Sequence, residues 1–574
     1  MHILLVASAF NSLTQRVLVE LHDRGHTAGV TLALGNDDAL REAVRRHDPQ
    51  LLVAPMLTTA IPEDVWRART CLIVHPGPPG DRGASSLDWA LQAGAQSWGV
   101  TVLEAVAGMD AGDVWAWSPL KVPPLAGKSD LYRGEVADAA VDAVLLAVER
   151  FASGKYKPQP QAATDLAAGW RPFMKQAQRR IDWAADTTEA VLRQLRAADS
   201  QPGVRDELLG MPWYLHGGHP EDELRGPPGE LIATRAGAIC RTTVDGAVWI
   251  PQLSPWREPG TGAGSLWPSY KLPAVQALGD LLRASVPEVP APLQLPDTRR
   301  TWTEMRYSEH GAVGTLNFSF PGGAMSTVQC RRLLKAYRFA LTRPTAVLVL
   351  GGLRDFFSNG IHLNVIEAAD DPAEESWANI HAMNDLVEAV LTTTDRLTVA
   401  ALGGNAAAGG VMLALAADEV WCRDGAVLNP HYALMGLHGS EYWTFTLPRR
   451  VGAAEAQRLT QAALPVSARR AVQLGMAQRV LQAAPQEFGD EVARLAAELA
   501  AAPDLAERIA RKQAAREQDE AVKPLQRYRD EELSHMRRNF FDAREPHAGL
   551  RSAFVRKEKA QHTPPHLARL GLAD

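Results

Sequence analysis

The chain contains few cysteines and no long apolar runs. Its 574 residues include four cysteines, Cys71, Cys240, Cys330 and Cys422, which have no paired spacing. Scattered cysteines argue against a disulfide framework and against a cysteine-built zinc site, and they predict reduced thiols in the cytoplasm. No stretch approaches the roughly 18 apolar residues that a membrane-spanning helix requires. We therefore expect a cytoplasmic protein with no membrane segment and no metal site.

Other absences narrow the class of partner. The chain has 60 lysines and arginines against 66 aspartates and glutamates, and a formal net charge of −6 gives no reason to expect nucleic acid. It contains no GxGxxG or P-loop motif and no internal repeat. The first residues, MHILLVASAF, lack the basic region and cleavage site of a signal peptide and are typical of a buried strand. We expect small-molecule substrates.

The length and the element pattern predict an α/β multidomain protein of roughly three or four domains. Over residues 1–165 short apolar runs alternate with a helical pattern. The runs that predict strands are Ile3–Ala7, Leu51–Ala54 and Cys71–Val74, and the predicted first helix is Ser12–Arg24. Such alternation predicts a doubly wound parallel sheet, with its site at the carboxyl ends of the strands.

Two polar clusters follow strands in this region. His75 lies in LIVHPGPPGDRG directly after a predicted strand, and Asp110 lies in GMDAGD after the strand-like GVTVLEAV. These segments resemble the formyl-tetrahydrofolate-dependent formyltransferases, whose pattern is Asn-x-His, a proline-containing loop ending in Arg-Gly, and Gly-Leu-Asp-Thr-Gly-Asp. The resemblance implies a formyl-tetrahydrofolate site in which His75 and Asp110 are catalytic. The family's catalytic Asn is replaced by Ile73.

The chemistry of formyl transfer fits these residue types. The reaction passes through a tetrahedral oxyanion, which a protonated histidine can stabilise, and a nearby aspartate can relay a proton through water. The alternative for His75 is a histidine that only caps the backbone at the end of a strand. The family's folate-contacting loop corresponds to residues 55–62. The resemblance therefore implies that folate is contacted by Pro55, Ile61, Pro62 and Arg82.

The middle of the chain predicts a smaller domain and a linker. Residues 166–285 begin with an amphipathic helix that Thr187 or Thr188 would cap, and short strands with glycine turns follow, which is typical of a small barrel. This segment resembles the carboxyl-terminal barrel of the formyltransferases that act on tRNA, but it is not basic, so we interpret it as a structural spacer. A proline-rich linker is predicted at residues 286–298.

Residues 299–574 contain two glycine-rich turns after apolar strands. One is FFSNGI, which ends at Ile361, and the other is GGNAAAGG, which follows the strand Leu397–Leu402 and precedes a helix from about Gly410 to Ala417. These turns resemble the crotonase (enoyl-CoA hydratase/isomerase) superfamily, a β/α spiral fold with a helical carboxyl terminus. In that family two backbone N–H groups form an oxyanion hole for a CoA thioester. Ile361 and Gly409 occupy the donor positions, and Gly360 and Gly410 flank them.

Hydratase chemistry is not expected at this site. The two glutamates of the family's hydratases are replaced by Met412 and by a carboxylate-free segment, Asn429–Tyr432. A polar stretch, residues 429–452, lies where the family keeps its acyl pocket. We expect Tyr432 and Glu441 to act there as a proton-accepting pair, with His431 or His438 as substitutes. A solvated loop with aromatic core residues is the structural alternative.

The terminal helices resemble those that cover CoA in crotonases. Phe554 and Lys557 are the expected contacts for adenine and phosphate, and a solvated helical face is the alternative. The order of the two halves resembles the CO-synthesising maturation proteins of nickel–iron hydrogenases. This resemblance implies formyl-tetrahydrofolate and coenzyme A as substrates, and hydrogenase maturation proteins or the hydrogenase large subunit as partners. The rival interpretations are an acyl-CoA hydratase or isomerase fused to an amine formyltransferase, and a non-catalytic maturation scaffold.

Overall fold

A computed structural model describes residues 1–161, 169–256, 270–296 and 298–572. The chain divides into two compact units. The first contains Met1–Leu231, Arg241–Trp256 and Lys559–Asp574, and the second contains Ile232–Cys240 and Arg257–Glu558. Among the described residues, no helix combines the length and the apolar character that crossing a membrane requires.

The amino-terminal part of the first unit is a six-stranded sheet in the order β2-β1-β3-β4-β5-β6. The strands are β1 His2–Ala7, β2 Thr27–Leu32, β3 Leu51–Met56, β4 Cys71–His75, β5 Ser97–Glu104 and β6 Val114–Lys121. The helices are α1 Ser12–Asp23, α2 Asp37–His47, α3 Glu63–Ala68, α4 Ser86–Gln92, α5 Lys128–Arg133 and α6 Glu135–Ser153. Strands β1 to β4 pair in parallel as expected, whereas β5 and β6 pair antiparallel.

Local chemistry explains why these elements begin where they do. The side chain of Asn11 accepts from the N–H of Thr14 and so caps α1. The apolar residues of β1 from Ile3 to Ala7 are completely buried, which accounts for their unbroken apolar run, because a parallel strand has helices on both faces.

Short strands follow one helix in residues 169–256. They are preceded by α7 Thr188–Ala197, and the strands are β7 Val204–Leu208, β8 Met211–His216, β9 His219–Glu221, β10 Leu231–Arg235, β11 Ala238–Thr242, β12 Ala247–Ile250 and β13 Gln252–Pro255. Strands β7, β8 and β13 pair antiparallel, and so do β9 and β12. The predicted cap of α7 is confirmed, since Thr187 accepts from the N–H of Ala190.

The second unit is built on a six-stranded sheet, β15-β16-β17-β18-β20-β23, and a small sheet, β19-β21-β22. Its strands are β14 Leu272–Pro273, β15 Met305–His310, β16 Val313–Phe318, β17 Val347–Gly351, β18 Leu397–Leu402, β19 Ala406–Ala407, β20 Glu419–Arg423, β21 Val427–Asn429, β22 Val466–Ser467 and β23 Arg479–Leu481. Residues 286–296 form no helix and no strand and are mostly exposed.

The helices of this half pack on the sheet and extend to the carboxyl terminus. They are α8 Ala274–Leu278, α9 Thr327–Leu341, α10 Leu363–Glu367, α11 Pro372–Leu391, α12 Gly409–Leu415, α13 Trp443–Val451, α14 Ala453–Ala462, α15 Ala468–Leu474, α16 Phe488–Ala500, α17 Leu505–Val522, α18 Leu525–Phe541 and α19 His547–Val555. A last helix, α20 Pro565–Ala568, belongs to the first unit. The predicted strand Leu397–Leu402 is confirmed residue for residue.

Candidate active sites

His75 at the end of β4 has an acidic partner on each ring nitrogen. Its Nε2 lies 3.0 Å from Oδ2 of Asp81, and its Nδ1 lies 3.4 Å from Oδ2 of Asp110. His75 is only 3% exposed. An imidazolium donates from both nitrogens, so this geometry accommodates the protonated ring that oxyanion stabilisation requires.

Asp81 was not expected from the sequence. Its side chain is completely buried, and its Oδ1 lies 3.2 Å from Nε of Arg171. The close approach depends on Gly77, because a Cβ there would lie 2.4 Å from Nε2 of His75 and 2.5 Å from Oδ2 of Asp81. The signal available in the sequence was therefore the glycine between the histidine and the aspartate.

The loop between β5 and β6 brings Asp110 to the ring. In a parallel sheet the carboxyl ends of neighbouring strands lie at the same edge, but β5 runs antiparallel to β4. The position of Asp110 beside the ring therefore depends on the path of the loop. Asp110 has a left-handed backbone with φ of 50°, a conformation that costs free energy and often marks functional sites. Its carboxylate accepts from the N–H of Gly83 at 3.1 Å, and Gln161 donates to its carbonyl at 2.7 Å.

The expected folate residues have the following positions. Pro55 is buried in β3, Ile61 is buried after it, and Pro62 stands at the N-cap of α3. The backbone of Arg82 exchanges hydrogen bonds with Gly169 and Arg171. Ile73, in the position of the family's Asn, lies in β4 and packs against an apolar cluster.

In the second unit the two glycine-rich turns face each other. A Cβ added to Gly360 would lie 3.1 Å from the backbone nitrogen of Gly409, and one added to Gly410 would lie 2.0 Å from the carbonyl of Ser358. Gly360 has a φ of 77°, which only glycine adopts without cost. Among the described residues, the N–H groups of Ile361 and Gly409 donate to no protein acceptor. They remain available to an oxyanion.

Backbone strain orients the second donor. Ala408 precedes Gly409 with φ of 46° and ψ of −126°, a conformation that residues with a Cβ adopt only when the surroundings enforce it. Hydrogen bonds from the N–H of Ala407 to Ser358 and from the N–H of Ala408 to Asn429 hold this turn. Ile361 contacts the cluster of Ile380, Leu533, Met536 and Phe540. Its bulky side chain therefore has an apolar environment, and the donor is a backbone group that any residue type can supply.

Tyr432 and Glu441 form the expected contact. The hydroxyl of Tyr432 donates to Oε2 of Glu441 at 2.8 Å, and the N–H of Ser440 donates to the same oxygen at 3.1 Å. The other oxygen points at the glycine run, since a Cβ on Gly409 would lie 2.1 Å from Oε1. Gly439 permits the approach of the ring, because a Cβ there would lie 2.6 Å from it.

Burial determines which member of the pair is suited to accept a proton. It raises the pKa of Glu441 to about 7 and the pKa of Tyr432 well above its ordinary value of 10. A carboxylate with a pKa near 7 is a suitable general base at neutral pH, whereas the phenol stays protonated and serves as a donor.

The two histidines of this stretch have different surroundings. Burial lowers the pKa of both, that of His438 to about 4. His438 stacks on His535 with ring centroids 4.3 Å apart. It also lines a cavity of about 500 Å³ beside Tyr432. Nδ1 of His431 has no hydrogen-bond partner among the described residues.

Met412, which replaces one of the two hydratase glutamates, lies in the apolar core. Met412 is fully buried among the residues of the main core cluster, with the hydroxyl of Thr446 3.8 Å from its sulfur. A carboxylate there would have only the hydroxyl of Thr446 close to it among the described residues, and that hydroxyl already donates to the carbonyl of Tyr442 at 3.1 Å. Proton transfer by the hydratase pair is therefore not available at this site.

The carboxyl-terminal helices lie beside the first glycine turn. Arg551 of α19 pairs at 2.8 Å with Glu367 of α10, and Arg556 contacts the same carboxylate. Phe554 is 62% exposed, and Lys557 is exposed just beyond the end of the helix. Glu532 of α18, not singled out from the sequence, is buried and accepts from the N–H groups of Tyr442 and Thr444.

Three family models match the chain. The formyl transferase model covers residues 1–148, the formyl transferase C-terminal domain model covers residues 174–264, and the enoyl-CoA hydratase/isomerase model covers residues 324–564. Both expected enzyme families are thus confirmed, in the expected order.

The similar proteins include two that match almost the whole chain. The hydrogenase maturation factor HoxX of Bradyrhizobium diazoefficiens is 47% identical over 99% of this chain and 97% of its own length. HypX from Aquifex aeolicus, solved in complex with tetrahydrofolic acid, is 42% identical, with a TM-score of 0.93 and 98% of each chain covered. Methionyl-tRNA formyltransferase of Pseudoalteromonas translucida is 27% identical over 39% of this chain and 70% of its own.

Proposed function

The chain belongs to the HypX/HoxX family of hydrogenase maturation factors, and we propose that it makes carbon monoxide for the metal centre of a nickel–iron hydrogenase. The first site would transfer a formyl group from formyl-tetrahydrofolate to coenzyme A, and the second would split formyl-CoA into CO and CoA. One observation carries the proposal: Glu441, hydrogen-bonded by Tyr432, is aimed at Gly409 where a thioester would lie.

In the first reaction the thiol sulfur of coenzyme A attacks the formyl carbon. The carbon–sulfur bond forms, the carbon–nitrogen bond to the folate breaks, and the folate nitrogen takes up the proton that the thiol releases. His75 would stabilise the oxyanion, Asp110 would carry the proton, and Asp81 would hold the ring. Tetrahydrofolic acid bound to the Aquifex aeolicus relative supports this assignment of the substrate. The folate contacts proposed are Pro55, Ile61, Pro62 and Arg82.

In the second reaction the formyl hydrogen leaves as a proton. Formyl-CoA has no α-carbon, so enolate chemistry is not available to it. Ile361 and Gly409 would hold the thioester oxygen, and Glu441 would accept the proton. The electrons of the carbon–hydrogen bond become the lone pair on the carbon of CO, the carbon–sulfur electrons leave on sulfur, and the thiolate regains the proton. The reaction requires a site that excludes water, since water would give formate.

The remaining site residues would bind coenzyme A. Gly360 and Gly410 allow the thioester to approach the backbone, Phe554 offers a face for adenine, and Lys557 a cation for phosphate. We also propose domain boundaries at residues 165, 285 and 298. A hydrogenase large subunit or another maturation protein would receive the CO.

The direct test is to supply isotopically labelled formyl-tetrahydrofolate and CoA to the purified protein and to trap CO with deoxyhaemoglobin. We expect label in CO only when both substrates are present. Synthetic formyl-CoA should give CO without folate. Hydration of crotonyl-CoA would support the fused-hydratase interpretation. The absence of both activities in a protein that still binds both substrates would support the scaffold.

A further inference from the structure

Glu532 of α18 is a buried carboxylate that the proposed mechanism does not use. It is 1% exposed, although most of the charged residues of α17 and α18 face solvent. A buried ionisable side chain is unfavourable unless it has polar partners. The partners of Glu532 all belong to the segment that carries Glu441.

These partners form the beginning of α13. Oε2 of Glu532 accepts from the N–H of Tyr442 at 2.9 Å and from the hydroxyl of Ser440 at 3.3 Å. Its Oε1 accepts from the N–H of Thr444 at 2.8 Å and from the hydroxyl of Thr444 at 2.5 Å. Tyr442 occupies the N-cap position and provides no capping side chain. Glu532 therefore caps this helix from 90 residues away in the chain.

The capped turn is strained and needs this support. Glu441 and Tyr442 both have a φ of 59°, and two successive left-handed residues with side chains are costly. Two contacts hold the turn from neighbouring helices, namely Glu532 and the amide oxygen of Asn384 in α11, which accepts from the N–H of Glu441 at 2.8 Å. Ser440 lies between the two carboxylates. Its N–H donates to Glu441, and its hydroxyl is within hydrogen-bond distance of both the amide oxygen of Asn384, at 3.1 Å, and Oε2 of Glu532, at 3.3 Å.

We propose that Glu532 is a positioning residue that fixes the turn bearing Glu441 and, by its negative charge, strengthens the hold of Glu441 on a proton. The inference rests on the proposed function of Glu441 as the base. Burial raises the pKa of both carboxyls to about 7. Glu532 accepts from two N–H groups and from the hydroxyl of Thr444 at the start of a helix, whereas Glu441 accepts from one N–H group and one hydroxyl. The hydrogen bonds therefore favour Glu532 as the anion and Glu441 as the protonated member of the pair.

The charges around the pair do not cancel this effect. The titratable and charged groups that face this region from the neighbouring elements are Cys330 of α9, Asp385 and Glu388 of α11, His431 and Tyr432 before α13, Tyr442 at its start, and Arg529 of α18. Arg529 is paired at 2.6 Å with Asp385 and at 3.0 Å with Glu388. Its charge is therefore shared with two other carboxylates.

The test is an infrared titration of the full-length protein without substrate. The band of protonated Glu441 is identified by its absence in Glu441→Gln, and its titration midpoint is measured in wild type, Glu532→Gln and Glu532→Asp. We expect Glu532→Gln to lower the midpoint by about one pH unit or more, since a like charge nearby is removed. Glu532→Asp retains the negative charge on a shorter side chain and should lower the midpoint by a smaller amount.

Asn384→Ala is the matched control, because it loosens the same turn and leaves both carboxylates in place. It should weaken thermal stability and leave the midpoint near the wild-type value. If Glu532→Gln leaves the midpoint unchanged, or if Asn384→Ala lowers it equally, Glu532 is a structural cap only and the inference is wrong. Should Glu532→Gln not fold, Glu532→Asp replaces it, because its shorter side chain moves the charge away from Glu441. A midpoint lowered by a measurable fraction of a pH unit then supports the inference, and an unchanged midpoint contradicts it. A wild-type protein that releases no CO would instead overturn the proposed function, which this titration does not measure.

Discussion

The carboxylate of Glu441 lies directly against the backbone of Gly409, and a Cβ at that position would be 2.1 Å from Oε1. The proposed base and the proposed oxyanion donor are therefore neighbours that tolerate no side chain between them. Gly409→Ala should displace Glu441 and lower CO release from formyl-CoA by about 100-fold or more, because general base catalysis depends on sub-ångström placement. CO release from synthetic formyl-CoA measures this, and formyl transfer from folate should be unchanged.

Gly549→Ala is the matched control for this substitution. Gly549 lies in α19 of the same unit, and a Cβ there meets nothing within 4 Å. Alanine is favoured over glycine inside a helix, so this variant should retain wild-type CO release and stability. Full activity in Gly409→Ala would show that the two residues do not cooperate.

Substitutions in the Tyr432–Glu441 pair should lower decarbonylation of formyl-CoA without weakening the binding of CoA. Glu441→Gln removes the proton acceptor, and we expect CO release to fall by roughly 10²–10⁴-fold. Tyr432→Phe removes one hydrogen bond to the carboxylate at 2.8 Å, so its loss should be smaller, about 10-fold to 100-fold. The measurement is CO against formate from synthetic formyl-CoA, with CoA affinity as the control. Wild-type CO yield from both variants would rule out the pair.

CO release should depend on pH through Glu441. Burial raises the pKa of this carboxyl to about 7, and the base is active only when ionised. The rate should therefore rise with pH and level off above about 8, with its midpoint near 7. A rate that is independent of pH between 5 and 8 would show that Glu441 is not the titrating base.

The formyl-transfer site gives a separate prediction. Asp110→Asn should retain folate binding and lower formyl-CoA formation by about 10²–10⁴-fold, because it removes the proton relay and little shape. Asp81→Asn should have a comparable effect, since Asp81 is the closer partner of His75 at 3.0 Å. Formyl-CoA formation is measured by chromatography, with decarbonylation of supplied formyl-CoA as the control. Near-normal turnover in Asp110→Asn would show that the assignment is wrong.

Several elements could be predicted because their signal is local. The apolar run Leu397–Leu402 predicts its strand to the residue. The resemblance to the crotonase superfamily implied that the turns of Ile361 and Gly409 lie together, and the backbones of Gly360 and Gly409 are adjacent. His75 and Asp110 stand in recognisable segments, and the fold brings them within 3.4 Å. Their catalytic roles remain predictions.

Other features depend on tertiary contacts that no local pattern reveals. Glu532 lies in a helix with many charged residues, and only the fold shows that this one is buried at the start of α13. Gly77 indicates a close approach after β4, but only the fold shows that Asp81 is the residue that reaches the ring of His75. The antiparallel direction of β5 and β6 was not expected, because a short strand pattern carries no direction.

Burial of Glu441 should also make the stability of the folded protein depend on pH. Its ordinary pKa of 4.5 is raised to about 7 in the folded chain, so folding favours the protonated form. That contribution is fully present below pH 4.5, is lost as the pH rises through 7, and amounts to roughly 3 kcal/mol at most. Glu441→Gln cannot ionise, so its melting temperature relative to wild type should increase between pH 5 and pH 8. Calorimetry of both proteins across this range measures the difference, and a constant offset would show that Glu441 is ionised throughout.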